Sequence, residues 1–248
     1  MIDFKNYRPA ADLLKDRVIL VTGSGGGVGR AAALAFAAHG ATVILHGREV
    51  AKLEAVYDAI VDIGGAEPTI LPLDLAQAKD RDFENMALAI ESQLQHLDGI
   101  LHNAAFATEP AALDNQRLEE WMSSMRVNLV APFALTRACT YLLRAAPDAS
   151  VILTSATYAL EPAAYWGHHA VSKSALTALA KIQADEWESY PNLRINVLVP
   201  GSVDSPQRRR THPGETRASR LQPEALMPAY LYLMGPESRG VSGNVVRA

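Results

Sequence analysis

The chain has 248 residues, a formal net charge of −4 and a hydrophobic fraction of 49%. This composition excludes disordered and fibrous classes, and the length suits one α/β domain, residues 1–248, with a buried core. The charge gives no reason to expect a nucleic-acid partner, and no apolar run approaches membrane-spanning length. The single cysteine, Cys139, excludes an internal disulfide, and residues 1–16 read as an N-terminal extension without a signal-peptide pattern, so we expect a cytoplasmic protein.

Short apolar runs alternate with helical patterns along the chain, which is typical of a parallel sheet covered by helices on both faces. Strands are predicted at 18–22, 42–46, 68–73, 99–102, 150–154, 194–199 and 244–246. Helices are predicted at about 28–39, 49–63, 80–96, 116–144, 167–190 and 223–234. The one long irregular region, 202–222, is predicted to be a loop that acts as a lid over a substrate site.

A glycine-rich turn follows the first predicted strand and leads into a strong helix former that starts at Arg30. Five glycines lie within residues 23–29. A strand, a glycine turn and a helix together bring a pyrophosphate to backbone N–H groups that have no intrahelical partner. The alternative is a glycine turn without a ligand, but the strand before it and the helix after it favour dinucleotide binding.

The spacing Thr22-Gly23-x-x-x-Gly27-x-Gly29 resembles the glycine loop of the short-chain dehydrogenase/reductase family. The segments at 1–7, 165–167 and 233–235 are similar to a little-characterised bacterial subgroup of that family. The resemblance implies a single-domain Rossmann fold, an α/β fold whose doubly wound, seven-stranded parallel sheet has the order 3-2-1-4-5-6-7. It also implies hydride transfer between a nicotinamide dinucleotide and a small carbonyl or alcohol substrate.

The end of the second predicted strand indicates which dinucleotide binds. NAD-binding folds usually have an acid there to accept hydrogen bonds from the ribose 2′-hydroxyl, whereas this chain has no acid and carries Arg48 just beyond. A guanidinium pairs with a 2′-phosphate, so NADP is predicted rather than NAD, with Ser24 as a further contact. The alternative is that Arg48 merely opens a helix beside Glu49.

The resemblance assigns further cofactor contacts. Asp74, followed by Leu75, stands where the family binds the adenine amino group, although Asp74 is equally compatible with an N-cap. Asn103 and Ala104 match two positions of the family's N-N-A-G segment. The full predicted set is Thr22, Gly23, Ser24, Gly27, Val28, Gly29, Arg48, Asp74, Leu75, Asn103, Ala104, Lys173, Pro200 and Gly201.

At the reacting end, the resemblance implies that Asn128 and Lys173 match the family's asparagine and lysine. The family's tyrosine, four residues before the lysine, is replaced by His169, and its serine position is Ala156, with Ser155 one residue short. The candidate catalytic residues are therefore Asn128, Ser155, His169 and Lys173.

Both replacements weaken the proton-transfer half of the site. An offset of one residue at a strand end turns a side chain to the opposite face, so Ser155 is predicted to be packed or bonded to backbone. His169 is either a proton donor or a neutral residue in a decayed site, because Lys173 disfavours its charged form. Tyr165 is a substitute donor only if the helix begins early enough to include it. No metal site is predicted at His168 and His169, because adjacent helix positions face apart.

Two functions remain open: an NADP-dependent oxidoreductase with an atypical site, or a catalytically impaired relative that serves as a dinucleotide-binding sensor or partner subunit. The lid's arginines are compatible with an anionic substrate or with a solvated loop. They are Arg208, Arg209, Arg210, Arg217 and Arg220. The long helices at 116–144 and 167–190 carry more apolar residues than one packed face needs, so a homodimer or homotetramer is expected. These residues are Trp121, Met125, Leu129, Phe133, Leu176, Leu179 and Trp187.

Overall fold

The computed structural model describes residue 4 and residues 6–248 of the chain. Part of the predicted N-terminal extension, namely residues 1–3 and residue 5, lies outside the described residues, as does the side chain of Arg217 in the predicted lid.

Within the described residues the chain forms one seven-stranded sheet in which every neighbouring pair of strands is parallel. The order β3-β2-β1-β4-β5-β6-β7 confirms the predicted order. The central strands are buried along their whole length because helices cover both faces. The strands are β1 Val18–Thr22, β2 Thr42–His46, β3 Thr69–Ile70, β4 Gly99–His102, β5 Ala149–Thr154, β6 Leu193–Val199 and β7 Val245–Arg247.

Helices pack on both faces of this sheet. The helices are α1 Gly27–Ala38, α2 Val50–Asp62, α3 Asp80–Leu94, α4 Leu118–Met125, α5 Ala131–Ala145, α6 Thr157–Leu160, α7 Gly167–Glu186, α8 Pro206–Thr211 and α9 Met227–Met234. One core contains α1, α2 and α9 around Phe36 and Tyr230, and the other contains α3, α5 and α7 around Leu135 and Leu176. No described helix is long and apolar enough to cross a bilayer.

The third strand is much shorter than the predicted 68–73. Only Thr69–Ile70 forms a regular strand, although the N–H of Leu71 still donates to the carbonyl of Leu45 at 3.0 Å. Pro68 and Pro72 have no N–H to contribute to a ladder, and this accounts for the short strand.

The segment predicted as one helix over 116–144 is in fact α4 and α5, joined by a π-helical turn at Arg126–Val130. Pro132 explains the change, because a proline ring clashes with the carbonyl four residues earlier, which belongs to Asn128. A wider turn at that point relieves the clash and keeps the two helices continuous. Asn128 therefore lies inside the irregular turn.

The region 202–222 is not the irregular loop that was predicted. It contains α8 and a 3₁₀ turn at Arg217–Ser219. Ser205 caps α8, since its hydroxyl accepts from the N–H of Arg208 at 3.1 Å. The N–H of Asp204 donates to the carbonyl of Leu221 at 2.8 Å and closes the base of the segment, which we call the lid.

A buried charge cluster lies at the opposite edge of the sheet from the lid. The Asp148 carboxylate accepts hydrogen bonds from the guanidinium groups of Arg17 and Arg194. Arg194 also donates to the Ser238 hydroxyl and to the Gly235 carbonyl, at 2.8 Å each. The exposed Arg239 lies 3.3 Å from the same carboxylate. Because Asp148 and Arg194 are almost inaccessible to solvent, loss of either would leave a buried charge without its main partner.

Candidate active site

A cleft of about 470 Å³ lies at the carboxyl edge of the sheet and extends from the glycine turn to α8. This is the edge at which open α/β sheets bind ligands, because the loops that follow parallel strands meet there. Most of the predicted residues line it. Those on its wall are Gly23, Gly27, Val28, Arg48, Asp74, Leu75, Asn103, Ala104, Ser155, His169, Lys173, Pro200 and Gly201.

The glycine turn has little space for side chains. Gly23 and Gly27 have left-handed backbones, with φ of +69° and +51°. A Cβ on Gly29 would lie 2.1 Å from the Gly23 carbonyl oxygen and 2.6 Å from Nδ2 of Asn103. Gly29 is therefore needed for packing behind the wall, while Gly23 and Gly27 form the wall itself.

Two predicted cofactor contacts lie behind the cleft. Thr22 is buried, and its Oγ1 accepts from the N–H groups of Asn103 and Ala104 at 3.0 and 3.1 Å. It thus positions the loop after β4 and does not line the cavity. The Ser24 hydroxyl is fully buried and lies 3.2 Å from the His46 carbonyl, to which it donates. The contact of Ser24 with a 2′-phosphate stays a prediction, and it would require this hydroxyl to leave the His46 carbonyl.

Arg48 lies exposed at the rim of the cleft and makes no hydrogen bond or ion pair with another described side chain. Next to it, Gly25, Gly26, Gly47 and Lys52 line a shallow depression of about 200 Å³. Lys52 is paired with Glu49 at 2.8 Å, so Arg48 is the available cation at this position. An unpaired guanidinium beside an open depression provides a site for a phosphate group.

Asp74 lines the cleft and accepts from the N–H of Ala76 at 3.0 Å. The alternative role as N-cap of the following helix does not apply, because α3 begins at Asp80 and its N-cap is Lys79. The side chain is held at the wall by its own turn.

Lys173 lies at the inner end of the cleft, where its ammonium group donates to the carbonyl of Thr154 at 2.7 Å. Burial lowers the pKa of Lys173 to about 8. The Ser155 hydroxyl donates to the Lys173 carbonyl at 3.1 Å, as expected for a serine that is bonded to backbone. Ser155 consequently helps to fix α7 and has no free proton for a substrate.

His169 is 5% exposed, and its Nδ1 has no hydrogen-bond partner. Burial and the nearby ammonium group of Lys173 lower the pKa of His169 to about 3. The imidazole is therefore neutral at pH 7, and a neutral imidazole is a very weak acid. This geometry agrees with the prediction that Lys173 disfavours the charged form.

Asn128 does not reach the cleft. Its Oδ1 accepts from the N–H of Phe106 at 2.7 Å, and its Nδ2 donates to the Phe106 carbonyl at 3.0 Å. The same Nδ2 lies 3.0 Å from the hydroxyls of Ser124 and Ser172. Asn128 thus clamps the loop that carries Phe106, which forms the wall on that side.

Sequence reasoning missed three aromatic side chains on the wall near α8: Tyr158, Trp166 and His212. Tyr158 and Trp166 stack with ring centroids 4.0 Å apart and an interplanar angle of 14°. Tyr158 could have been found from the sequence, because it lies only two residues after Ala156, the position of the family's serine. Tyr165, considered as a substitute donor, is 60% exposed with φ of +76°, and it precedes α7, which begins at Gly167. Tyr165 therefore has no part in the cleft.

The lid arginines with described side chains are used inside the protein. Arg208 and Arg220 bond to Glu215, and Arg209 and Arg220 bond to Asp204. Bonding to Arg209 and to Arg208, respectively, lowers the pKa of Asp204 and of Glu215 to about 2. Arg210 donates to the Ala107 carbonyl at 2.8 Å and connects the lid to the opposite wall. These arginines hold the lid together, which disfavours an anionic substrate as the reason for their presence.

Comparison with known proteins defines the class. The short chain dehydrogenase family model matches residues 17–216, and the chain therefore belongs to the short-chain dehydrogenase/reductase family. Among its relatives is the Escherichia coli K12 oxidoreductase YciK, 37% identical over 238 residues that cover 96% of this chain and 94% of YciK.

Solved structures agree with this assignment. A short chain dehydrogenase from Pseudomonas syringae is 40% identical and superposes with a TM-score of 0.95, covering 98% of both chains. Another from Shigella flexneri, solved as a complex with NADP, is 36% identical with a TM-score of 0.93 and covers 96% of this chain and 99% of its own.

Proposed function

We propose that this protein is an NADP(H)-dependent oxidoreductase that transfers hydride between the nicotinamide and a small carbonyl or alcohol substrate. The unpaired Arg48 beside an open depression is the observation that carries the choice of NADP. The glycine cradle supports a dinucleotide, because a Cβ on Gly23 would lie 2.9 Å from the Cα of Ala104. The NADP complex of the Shigella flexneri relative gives further support.

In this proposal the chain binds and orients the dinucleotide, which supplies the hydride when it is bound. The N–H groups of the first turn of α1 lie at the position for the pyrophosphate, and Arg48 binds the 2′-phosphate. Asp74 and Leu75 border the adenine, while Pro200 and Gly201 flank the nicotinamide. The Lys173 ammonium group binds the nicotinamide ribose at the inner end of the cleft.

Titration of NADPH and NADH into wild type and Arg48→Ala tests the cofactor choice. We expect wild type to prefer NADPH, and Arg48→Ala to lose roughly 10- to 100-fold in NADPH affinity with NADH affinity unchanged, as for an exposed charge-assisted pair. Arg117→Ala, which removes an exposed arginine from the start of α4, is the matched control. Equal affinity for the two dinucleotides in wild type would refute the choice of NADP.

A panel of carbonyl substrates with NADPH, followed by nicotinamide absorbance, tests the oxidoreductase function. Consumption of NADPH that depends on one class of carbonyl would establish the reaction and define the substrate class. If the protein binds NADPH but turns over no carbonyl and oxidises no alcohol with NADP, the oxidoreductase function is refuted.

One observation favours a second candidate, a dinucleotide-binding sensor or partner subunit without turnover. The Ser155 hydroxyl proton is already donated to a backbone carbonyl, and the neutral imidazole of His169 is a very weak acid. The double change His169→Tyr with Ala156→Ser would restore the family's arrangement beside Lys173. A large gain in carbonyl reduction over a nearly inactive wild type, with NADPH affinity unchanged, would support this candidate, and an already active wild type would refute it.

We also propose that the protein is a homo-oligomer. Apolar side chains are exposed on α4, on α5 and in the turn between them; they are Leu118, Met122, Val130, Phe133 and Tyr141. Of the side chains expected to contribute, Leu176 and Trp187 are buried in the core, whereas Val171 and Ile182 on α7 are exposed. Exposed apolar residues on adjoining helices are typical of a surface that a second copy covers.

A further inference from the structure

We propose that Tyr158 and His212 form the proton-transfer pair of this site, in place of the family's tyrosine four residues before Lys173. This inference rests on the proposed oxidoreductase function. In alcohol oxidation, the proton of the substrate hydroxyl passes to Tyr158 Oη as the proton of Tyr158 passes to His212 Nε2. The hydride leaves the carbinol carbon for the dinucleotide and the C=O bond forms, while carbonyl reduction runs the same transfers in reverse.

The two side chains are already hydrogen-bonded. Tyr158 Oη lies 3.0 Å from His212 Nε2, and the two rings are nearly parallel, with centroids 6.1 Å apart and an interplanar angle of 16°. The indole of Trp166 lies against both rings, with its centroid 4.0 Å from that of Tyr158 and 5.2 Å from that of His212. Stacking on one indole therefore restrains the orientation of both rings and so the geometry of the hydrogen bond between them.

The neighbours of His212 determine which way this bond runs. Thr211 Oγ1 lies 2.9 Å from His212 Nδ1 and 3.1 Å from the carbonyl oxygen of Gln207. We assign the single hydroxyl proton of Thr211 to this carbonyl, which can only accept, and Nδ1–H of His212 then donates to Thr211. His212 Nε2 is then the acceptor for Tyr158, as a proton relay in the oxidation direction requires.

The pair lies at the reacting end of the cleft and reaches solvent. Tyr158, His212, His169 and Lys173 line the same cavity, and the Trp166 ring centroid is 5.7 Å from that of His169. Tyr158 and His212 are half-buried, whereas His169 is almost fully buried. His212 is therefore more open to solvent than His169, as a group that returns a proton to water requires.

The elements that carry the pair are held in place. The Ser174 hydroxyl lies 2.8 Å from the carbonyl of Ala159, so that α6 is attached to α7 next to Tyr158. His212 directly follows α8, which is capped by Ser205 and connected to the opposite wall through Arg210. Both members of the pair thus come from anchored segments.

The charges around His212 keep it in the accepting form. Burial and the positive charges of Arg208 and Arg220 lower its pKa, and Glu215 acts in the opposite direction. Tyr158 is the titratable side chain that faces it from α6. Because the net shift is downward, His212 is neutral at pH 7 and accepts a proton. Alcohol oxidation should therefore rise as the pH increases through the pKa of His212, and carbonyl reduction should fall.

The first test needs neither substrate nor cofactor. We would follow the pH titration of the His212 ring by NMR, with the signal assigned by its loss in His212→Gln. Loss of a hydrogen bond to the neutral imidazole in Tyr158→Phe should raise the pKa of His212 by about 0.5. The matched control is Tyr57→Phe, which removes from α2 a hydroxyl that is bonded to Glu67. This change should leave the pKa of His212 unchanged. An unchanged pKa in Tyr158→Phe would overturn the pair.

The second test uses turnover and NADPH affinity together. Tyr158→Phe should lower kcat by roughly 10²- to 10⁴-fold, the loss expected for a positioned proton donor, with NADPH affinity unchanged. Tyr57→Phe should keep wild-type kcat. If wild type is active and Tyr158→Phe keeps its kcat, the pair is overturned while the oxidoreductase function stands. A wild type that binds NADPH without any turnover overturns the function and the pair together.

Discussion

Three buried histidines make the folded protein sensitive to mild acid. His46, His102 and His169 are at most 5% exposed, and burial lowers their pKa values to about 4, 3 and 3. In the unfolded chain an imidazole titrates near 6.5, so below that pH the unfolded state binds protons that the native state does not. The free energy of unfolding must therefore fall as the pH falls through 6.5.

The size of this loss follows from the pKa values. Between about pH 7.5 and 5.5, each histidine that stays neutral in the native state removes roughly 1–2 kcal/mol, so the three together remove roughly 4 kcal/mol. Typical domains have only about 5–15 kcal/mol of stability. Asp204 and Glu215 titrate near pH 2, so they contribute little in this window. Burial also lowers the pKa values of His168 and His212, which adds to the loss, whereas burial raises the pKa of Asp98, which acts in the opposite direction.

Urea unfolding followed by tryptophan fluorescence at the two pH values measures this loss. His102→Asn should reduce the pH-dependent loss by roughly 1–2 kcal/mol, because one of the three groups no longer titrates. In the matched control Thr136→Val, which removes the hydroxyl 2.8 Å from His102 Nε2, the imidazole remains and the pH-dependent loss should persist. Equal stability of wild type at both pH values would refute the reasoning.

Three further outcomes are expected. Gly29→Ala should abolish NADPH binding in fluorescence titrations, because its Cβ would lie 2.1 Å from a carbonyl oxygen, whereas Gly214→Ala, with open space around the new Cβ, should bind normally. Asp148→Asn should lower the free energy of unfolding by roughly 3–5 kcal/mol in urea, while Glu161→Gln, in an exposed pair, should change it by less than about 1 kcal/mol. Phe133→Asp should shift light scattering from an oligomer towards a monomer; a monomeric wild type at micromolar concentration would contradict the oligomer.

The sheet was predictable because its signals are local. The apolar run before the glycine turn and the alternation of strand and helix define the strands and their parallel order. The two proline effects were harder, since Pro68 and Pro132 each alter an element that is otherwise continuous in the sequence pattern. Predicting the π-helical turn before Pro132 required knowing which carbonyl the proline ring would clash with, and the hydrophobic periodicity does not show this.

The site was predictable where a residue acts through its place in a motif. Arg48 follows the end of a strand and Lys173 faces one, and both side chains reach the cleft. Ser24 and Asn128 also match the motif, but their polar atoms are bonded to neighbouring backbone. Tyr158 and His212 are 54 positions apart, and their contact depends on how the lid folds. No spacing rule within the sequence connects them.

The lid carries one member of the proposed proton pair, and this makes closure and chemistry inseparable. An arrangement with the lid lifted would expose the cleft to water and at the same time take His212 away from Tyr158. A bound substrate would then lack the proton relay while water has access to the cleft. If the proposed pair is correct, the contacts that hold the lid in place also hold His212 against Tyr158.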